Sequence, residues 1–218
     1  MLIVTWHTDH YIYRDASIKC VSSAIKQMPG IKIVNVKVKS FGSWVEHTHM
    51  KPDVAIQIHN KYPSERFFLV DADAIFRGDI RPYFRNADYD FSAHIRTLQK
   101  ETRNYEKGTE ILASGSLYFA NNDASYGLVR RWKEKIKAYP DYGCGDQDKL
   151  KLAYQDLSRR ITFQQMPPEL CFYDKNNIQG QRTEIEQRGM NPIVCHNQIS
   201  HIYKKEKHEP PVSTGRAK

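Results

Sequence analysis

The sequence lacks several features that define large classes of protein. No stretch approaches the roughly 20 apolar residues of a membrane-spanning helix, and residues 1–6 lack the basic flank of a signal peptide. Neither a Gly-x-Gly-x-x-Gly fingerprint nor a Walker lysine loop occurs, which argues against a dinucleotide site and a P-loop. We therefore expect a protein without a membrane anchor, in which any nucleotide is held by another arrangement.

Cysteine is scarce and irregularly spaced. The chain has four cysteines: Cys20, Cys144, Cys171 and Cys195. The absence of C-x-x-C spacing argues against a zinc knuckle or a redox pair. No Asn-x-Ser/Thr glycosylation acceptor is present either. We therefore expect four reduced thiols in a cytoplasmic protein.

The charge is strongly unbalanced. The 218 residues carry a formal net charge of +8, which favours a polyanionic partner such as nucleic acid, an acidic glycan or a phosphorylated donor. The simpler alternative is a basic, solvated surface. Part of the excess lies near the C-terminus, so we expect one domain over residues 1–205 and a basic, disordered tail over residues 206–218.

The most informative stretch is the apolar run from Phe67 to Phe76, which contains two carboxylates. Charged residues bound the run, so it predicts a buried strand, in which residues two apart point to the same face. Asp71 and Asp73 should therefore converge near the core, where their repulsion calls for a compensating cation. Oxygen ligands favour Mg²⁺ or Mn²⁺. The simpler alternative is that the two acids only mark the polar end of a strand.

Hydrophobic periodicity predicts an α/β fold, a single domain with a mostly parallel central sheet flanked by helices. A strand over residues 2–6 precedes a helix that Asp15 would cap and Pro29 would end, and a half-buried strand covers residues 31–38. Further helices should begin at Asp123 and Asp146. Later strands are predicted over residues 89–95, 111–120, 161–163, 170–173 and 193–197.

Four other residues have two interpretations each. His47 and His49 offer metal ligands, but they are more typical of packing or surface histidines. Gly115, inside a predicted strand, indicates a bulge or the close approach of a ligand. Asp146, in a first helical turn, would by itself serve the helix dipole.

A series of short motifs runs along the chain in a fixed order. They are Asp9-His10-Tyr11, Cys20-Val21-Ser22-Ser23, Leu69-Val70-Asp71-Ala72-Asp73, Ser114-Gly115-Ser116, Gly145-Asp146-Gln147, and His196-Asn197 with Lys204 or Lys205 beyond. Together they resemble the GT-A glycosyltransferases of family 8, which are nucleotide-diphospho-sugar transferases related to glycogenin and bacterial galactosyltransferases. The resemblance covers roughly residues 1 to 205. The family's glycine between the last histidine and the lysine is missing, and His201 is a rival ligand.

The resemblance implies a metal-dependent enzyme that moves a sugar from a nucleotide-diphosphate sugar, expected to be UDP-linked, to an acceptor hydroxyl. In this family pattern Asp71, Asp73 and His196 hold Mn²⁺ or Mg²⁺, which bridges the donor diphosphate. Catalysis would depend on Asp73 and on Asp146 near the sugar or acceptor hydroxyl. The residues implied to contact the donor are Thr8, Asp9, Tyr11, Asp71, Ser114, Gly115 and Lys204.

The acceptor is open at this point. The basic charge, the polar loop over residues 96–108 and the basic tail suggest a modified base in DNA, and a glycan or lipopolysaccharide core is the alternative. Two other classes fit less well. A haloacid dehalogenase-type phosphotransferase needs a later Gly-Asp-x-x-x-Asp, but Leu150 takes the place of the last Asp. A non-catalytic nucleic-acid-binding domain would need a recognisable binding motif, and none is present.

Overall fold

The computed structural model describes residues 1–39, 44–98, 101, 106–140, 145–173, 185 and 189–197. Its strands are β1 (Leu2–Thr8), β2 (Lys32–Val38), β3 (Phe67–Val70), β4 (Ala74–Phe76), β5 (Phe91–Thr97), β6 (Glu110–Phe119), β7 (Phe163–Gln165), β8 (Phe172–Tyr173) and β9 (Val194–His196). Its helices are α1 (Tyr11–Gln27), α2 (Trp44–Thr48), α3 (Lys51–Lys61), α4 (Arg81–Phe84), α5 (Asp123–Ala138) and α6 (Asp146–Leu157), with a 3₁₀ turn at Pro168–Leu170.

Six strands form the central sheet in the order β2-β1-β3-β6-β5-β7. β6 pairs antiparallel with both neighbours and the other pairings are parallel, so five strands run in one direction. Helix α1 packs on β1, helix α6 packs on β6, and α5 lies between α3 and α6. The predicted α/β fold with a mostly parallel, helix-flanked sheet is confirmed.

Strand β3 is apolar without interruption because both of its faces are buried. Phe67 and Leu69 enter the core cluster on one face of the sheet, whereas Phe68 and Val70 enter the cluster on the other face. All four side chains are buried. A central strand covered on both faces has no solvent side and therefore no polar alternation.

The prediction of one strand from Phe67 to Phe76 is wrong. The chain turns after Val70, and the Ala74 N–H donates to the Asp71 carbonyl at 3.0 Å. β4 then belongs to a second, three-stranded sheet in the order β4-β9-β8. Because Ala74 and Phe76 are buried in the same core cluster as Phe68, hydrophobicity continues across the turn and hides it from a periodicity analysis.

Two predicted helix starts differ from the structure by a short distance. Helix α1 begins at Tyr11 with His10 as its N-cap, so Asp15 lies inside the helix and does not cap it. Helix α5 is capped by Asn122, whose side chain accepts a backbone hydrogen bond, and Asp123 is its first residue. Asp and Asn are both good N-caps, so sequence places these ends only to within a few residues.

Some predictions fall partly or wholly outside the described residues. These include most of the polar loop, whose residues 99–100 and 102–105 are not described, together with Cys144, His201, Lys204 and the tail. Cys20 is a buried free thiol, as expected. Among the described helices, none combines the length and apolar character that crossing a bilayer requires.

The indole of Trp132 provides a test of how the fold positions helix α6. Trp132 is fully buried and its Nε1 donates to the Asp146 carbonyl at 2.9 Å. We expect Trp132→Phe to lower the free energy of unfolding by about 1–3 kcal/mol, because a buried carbonyl loses its donor. Urea denaturation measures this change.

The matched control is Trp6→Phe. The Trp6 indole is also buried, but its Nε1 has no hydrogen-bond partner among the described residues. This variant should therefore cost less than Trp132→Phe. Equal losses in the two variants would show that the hydrogen bond to Asp146 contributes nothing measurable.

Candidate active site

Strand directions bring the polar residues to one edge of the sheet. β1 and β3 are parallel neighbours, so Thr8 and Asp71 lie at the same edge. β6 is antiparallel to β3, with Ser116 paired to Val70. In the second sheet β9 pairs with β4, which sets His196 opposite Ala74 and therefore beside Asp73. Open α/β sheets bind their ligands at this carboxyl edge.

Asp71, Asp73 and His196 form a compact cluster of metal-binding side chains. Each offers one ligand atom, and these atoms lie within 4.8 Å of one another. His196 Nδ1 lies 3.4 Å from Asp73 Oδ1, and its Nε2 lies 2.9 Å from Ser116 Oγ. A hydrogen bond to Ser116 fixes the ring orientation and leaves Nδ1 on the carboxylate side, as in histidine ligands of metal sites.

The electrostatics of the cluster fit a divalent cation. Burial raises the pKa of the Asp71 carboxyl; Lys51 opposes this shift and the charge of Asp73 adds to it. Burial lowers the pKa of His196, but the hydrogen bond to Asp73 and other contacts raise it by more, to about 10. A proton on His196 therefore compensates the acids, and a metal ion bound at the same place would replace it. Two carboxylates and an imidazole are a suitable donor set for such an ion.

Lys51 is the functional residue that sequence reasoning missed. Its ammonium is buried, with Nζ 2.9 Å from Asp71 Oδ1 and 2.9 Å from Asp146 Oδ2. It also donates to the Ser114 carbonyl at 3.0 Å. Burial lowers its pKa, but the two carboxylates raise it more, so the group is a cation. The Lys51 ammonium thus contacts residues at the end of β3, in the middle of β6 and at the start of α6.

A sequence signal for Lys51 did exist. It is the first residue of α3 and precedes a proline, so its charge stands at the positive end of a helix dipole, where a cation is unfavourable. A carboxylate partner offsets this cost. The sequence does not indicate that the partners would be Asp71 and Asp146.

Asp146 is held by its neighbours in a buried position at the N-terminus of α6. Gly145 before it has φ +99° and ψ −148°, a conformation essentially restricted to glycine. A Cβ at Gly145 would also lie 3.3 Å from Thr48 Oγ1. The carboxylate of Asp146 pairs with Lys51, so the helix-dipole interpretation alone does not account for this residue.

Gly115 lies in an irregular part of β6. Ala93 pairs with Leu117 and Ile95 with Leu112, so four residues of β6 face a single residue of β5. A Cβ on Gly115 would lie 2.6 Å from the Tyr173 hydroxyl and 3.1 Å from His196 Cε1. The predicted bulge is present, and groups of the chain itself approach the glycine.

The other predicted residues differ in burial and in position along the chain. Thr8 is buried at the end of β1, whereas Tyr11 is 52% exposed and stacks on His10 at the start of α1. Lys204 lies outside the described residues. Within the described ranges, a group of three or more metal-binding side chains occurs only at Asp71, Asp73 and His196. His47 and His49 therefore belong to no such group there.

A mostly parallel α/β sheet with candidate metal ligands at its carboxyl edge is typical of enzymes that bind nucleotides. The comparison with known families is more specific. Residues 42–209 match the family described as nucleotide-diphospho-sugar transferase. The chain belongs to this family and is a glycosyltransferase that uses a nucleotide-sugar donor, which rules against the phosphotransferase and non-catalytic alternatives.

Three solved glycosyltransferases share the fold of this chain. The enzyme involved in glycosylation of the major capsid of PBCV-1 superposes with a TM-score of 0.65 at 12% identity, covering 95% of this chain and 97% of its own. The galactosyltransferase LgtC, in complex with donor and acceptor sugar analogues, gives 0.57 at 14% identity over 90% and 86% of the two chains. GlyE of Streptococcus pneumoniae gives 0.59 at 13% identity over 96% and 61%. No curated protein sequence matches the chain.

Replacement of Gly115 tests the close approach of Tyr173. Because a Cβ would lie 2.6 Å from the tyrosine hydroxyl, we expect Gly115→Ala to lower the free energy of unfolding by about 1–3 kcal/mol, the usual cost of overpacking. In a Tyr173→Phe background, which lacks the hydroxyl, the same change should cost less. Urea denaturation of the two single variants and the double variant measures this coupling.

Gly127→Ala is the control for that cycle. Gly127 lies in helix α5 and a Cβ there would meet no atom within 4 Å. Alanine is the better helix former, so this variant should be neutral or slightly stabilising. A Gly115→Ala variant as stable as Gly127→Ala would contradict the described packing.

Proposed function

We propose that this glycosyltransferase is metal-dependent and uses a UDP-linked sugar, which it transfers to an acceptor hydroxyl. The observation that carries the proposal is the cluster of Asp71, Asp73 and His196 at the carboxyl edge of the sheet. The family uses nucleotide-diphosphate sugars, and a cluster of this composition suits the cation that such a diphosphate needs. Mn²⁺ is the first candidate and Mg²⁺ the second, because imidazole joins two carboxylates.

We assign the metal to Asp71, Asp73 and His196. When bound there, the ion would neutralise the charge that develops on the departing nucleotide diphosphate. Lys51 favours the ionised form of Asp71, against the effect of burial on its pKa, and fixes its orientation through the 2.9 Å contact to Oδ1. Ser116 holds the His196 ring by its Nε2. These contacts preorganise the ligands, which is what metal sites require of their surroundings.

We assign the rest of the donor to the neighbouring strand ends. Tyr11 is exposed at the start of α1, just beyond β1, and offers a face on which a base can stack, with Thr8 and Asp9 nearby in the chain as hydrogen-bonding groups. Ser114 and Gly115 would line the sugar. Lys204 would add a positive charge to the diphosphate.

Asp146 and Asp73 are the proposed catalytic residues. The Asp146 carboxylate is held by Lys51 Nζ at 2.9 Å, and it would orient the sugar or accept a proton from the acceptor hydroxyl. Asp73 would act through the metal ion. We further propose that residues 1–205 form one catalytic domain that works in the cytoplasm, with residues 206–218 as a basic tail.

Two acceptors remain candidates. A modified base in DNA is supported by the net charge of +8, and a salt-sensitive affinity for duplex DNA would support it further. A sugar hydroxyl, as in a glycan or lipopolysaccharide core, is supported by the LgtC complex, which holds an acceptor sugar analogue.

Titration of UDP with and without Mn²⁺ tests the donor assignment. We expect UDP to bind the wild type at least about tenfold more tightly with Mn²⁺, and Asp73→Ala to lose that gain, because the ion loses a ligand. Calorimetry measures both affinities. Asp123→Asn, which changes an exposed carboxylate at the start of α5, should behave like the wild type.

Two results would count against the donor assignment. UDP affinity that is indifferent to Mn²⁺ in the wild type would remove the metal from the proposal. A gain from Mn²⁺ that survives in Asp73→Ala would place the ion elsewhere.

A further inference from the structure

The end of β5 carries a cation that the proposed donor site does not use. β5 runs in the same direction as β1 and β3, so Arg96 lies at the same edge of the sheet as Asp71. The Arg96 side chain is half-buried, and its guanidinium carbon lies 5.3 Å from the centre of the Tyr173 ring. Tyr173 in turn stacks on His196, with ring centres 5.1 Å apart. One aromatic ring therefore connects Arg96 to the metal cluster.

Arg96 has no counter-ion within the part of the chain that the structure describes. No carboxylate there lies within ion-pair distance of it, and its Nε is buried without a hydrogen-bond partner. Lys51, by contrast, is paired with two carboxylates. A half-buried guanidinium with an unused donor is costly until an anion binds it.

The strand order indicates which substrate Arg96 faces. In the proposed donor site the nucleotide lies at the end of β1, the metal and diphosphate at β3, and the sugar at Ser114 and Gly115 of β6. β5 is the next strand of the sheet. Arg96 therefore lies beyond the sugar, on the side that remains for the acceptor.

We propose that Arg96 recognises an anionic group on a sugar acceptor, and that the acceptor of this enzyme is accordingly an acidic glycan. The group is a phosphate or a carboxylate, since the planar guanidinium fork can donate two parallel hydrogen bonds to either. The inference rests on the proposed glycosyltransferase site, because it uses that site's order of nucleotide, metal and sugar.

The surroundings of Arg96 favour one localised anion over a nucleic-acid backbone. The connection from β5 to β6 and the start of β6 carry exposed Glu101, Glu106 and Glu110, and Lys100, Arg103 and Lys107 lie among them in the sequence. The three acids and three bases balance, so this stretch forms no basic track for a row of phosphates, whereas a single anion can pair with Arg96. The acidic glycan is therefore the better match at this end of the sheet.

The test compares neutral sugars with their anionic derivatives. The protein, saturated with UDP and Mn²⁺, is titrated by calorimetry with glucose, galactose and mannose, with the 6-phosphates of these sugars, and with glucuronate and galacturonate. We expect at least one phosphate or uronate to bind about tenfold or more tightly than its neutral parent, the usual effect of a charge-assisted hydrogen bond. Preference for the phosphates or for the uronates identifies which anion the acceptor carries.

Variants of Arg96 decide whether this residue supplies the preference. Arg96→Gln should abolish the difference between charged and neutral sugars while UDP and Mn²⁺ still bind as in the wild type. Arg96→Lys should recover part of the preference. Arg159→Gln, which alters an exposed arginine just beyond α6, should retain all of it.

Several outcomes would overturn the inference. These are equal binding of charged and neutral sugars, no binding of any sugar while UDP binds, and a preference that Arg96→Gln retains. Duplex DNA that binds in an Arg96-dependent way, with no preference among the sugars, would assign Arg96 to a nucleic acid instead. Loss of UDP binding in the wild type is a separate result, which would count against the donor site itself.

Discussion

The carboxyl edge of the central sheet depends on one buried charge. Lys51 lies between Asp71 and Asp146, at 2.9 Å from each, and bonds to the backbone of Ser114. Removing an ammonium from water is expensive, and only close and well-oriented partners compensate the cost. The position of each partner is therefore constrained by the others, which ties a strand end, a bulged strand and a helix start into one unit.

The candidate metal-binding cluster of Asp71, Asp73 and His196 adjoins this unit. Asp71 is shared between Lys51 and the cluster, while the short second sheet delivers His196 from the far end of the chain. Gly115 allows the Tyr173 and His196 side chains to come close to β6. The Arg96 guanidinium lies over the Tyr173 ring. Because Arg96 is on β5, the strand next to β6, it extends the same edge of the sheet by one strand. The proposed donor and acceptor contacts thus follow the strand order from β1 to β5.

The sequence predicted those features that local patterns encode. The apolar run that contains β3 indicated a buried strand, and the two acids after it were interpreted as candidate metal ligands. The reason given for their convergence was wrong, since Asp71 and Asp73 meet in a turn and not along one strand. A turn between two apolar segments produces the same pattern as a long strand when both segments are buried.

The remaining features depend on contacts between distant parts of the chain. His196 reaches Asp73 only because β9 pairs with β4, and its motif alone did not distinguish it from His201. For Lys51 no prediction came from the sequence, because its partners lie 20 and 95 residues further along the chain. Its position at a helix N-terminus favours an acidic partner only weakly and does not identify that partner. Pairings of this kind become visible only when the fold is known.

The most direct test of this account is a double-mutant cycle of Lys51→Met and Asp146→Asn, with the free energy of unfolding measured by urea denaturation. Lys51→Met alone should cost about 3–5 kcal/mol, because it leaves buried carboxylates without their cation. Adding Asp146→Asn should recover part of that loss, since one of the uncompensated charges is removed with it. If the two changes were simply additive, Lys51 would not hold Asp146 in place, and this account of the carboxyl edge of the sheet would be contradicted.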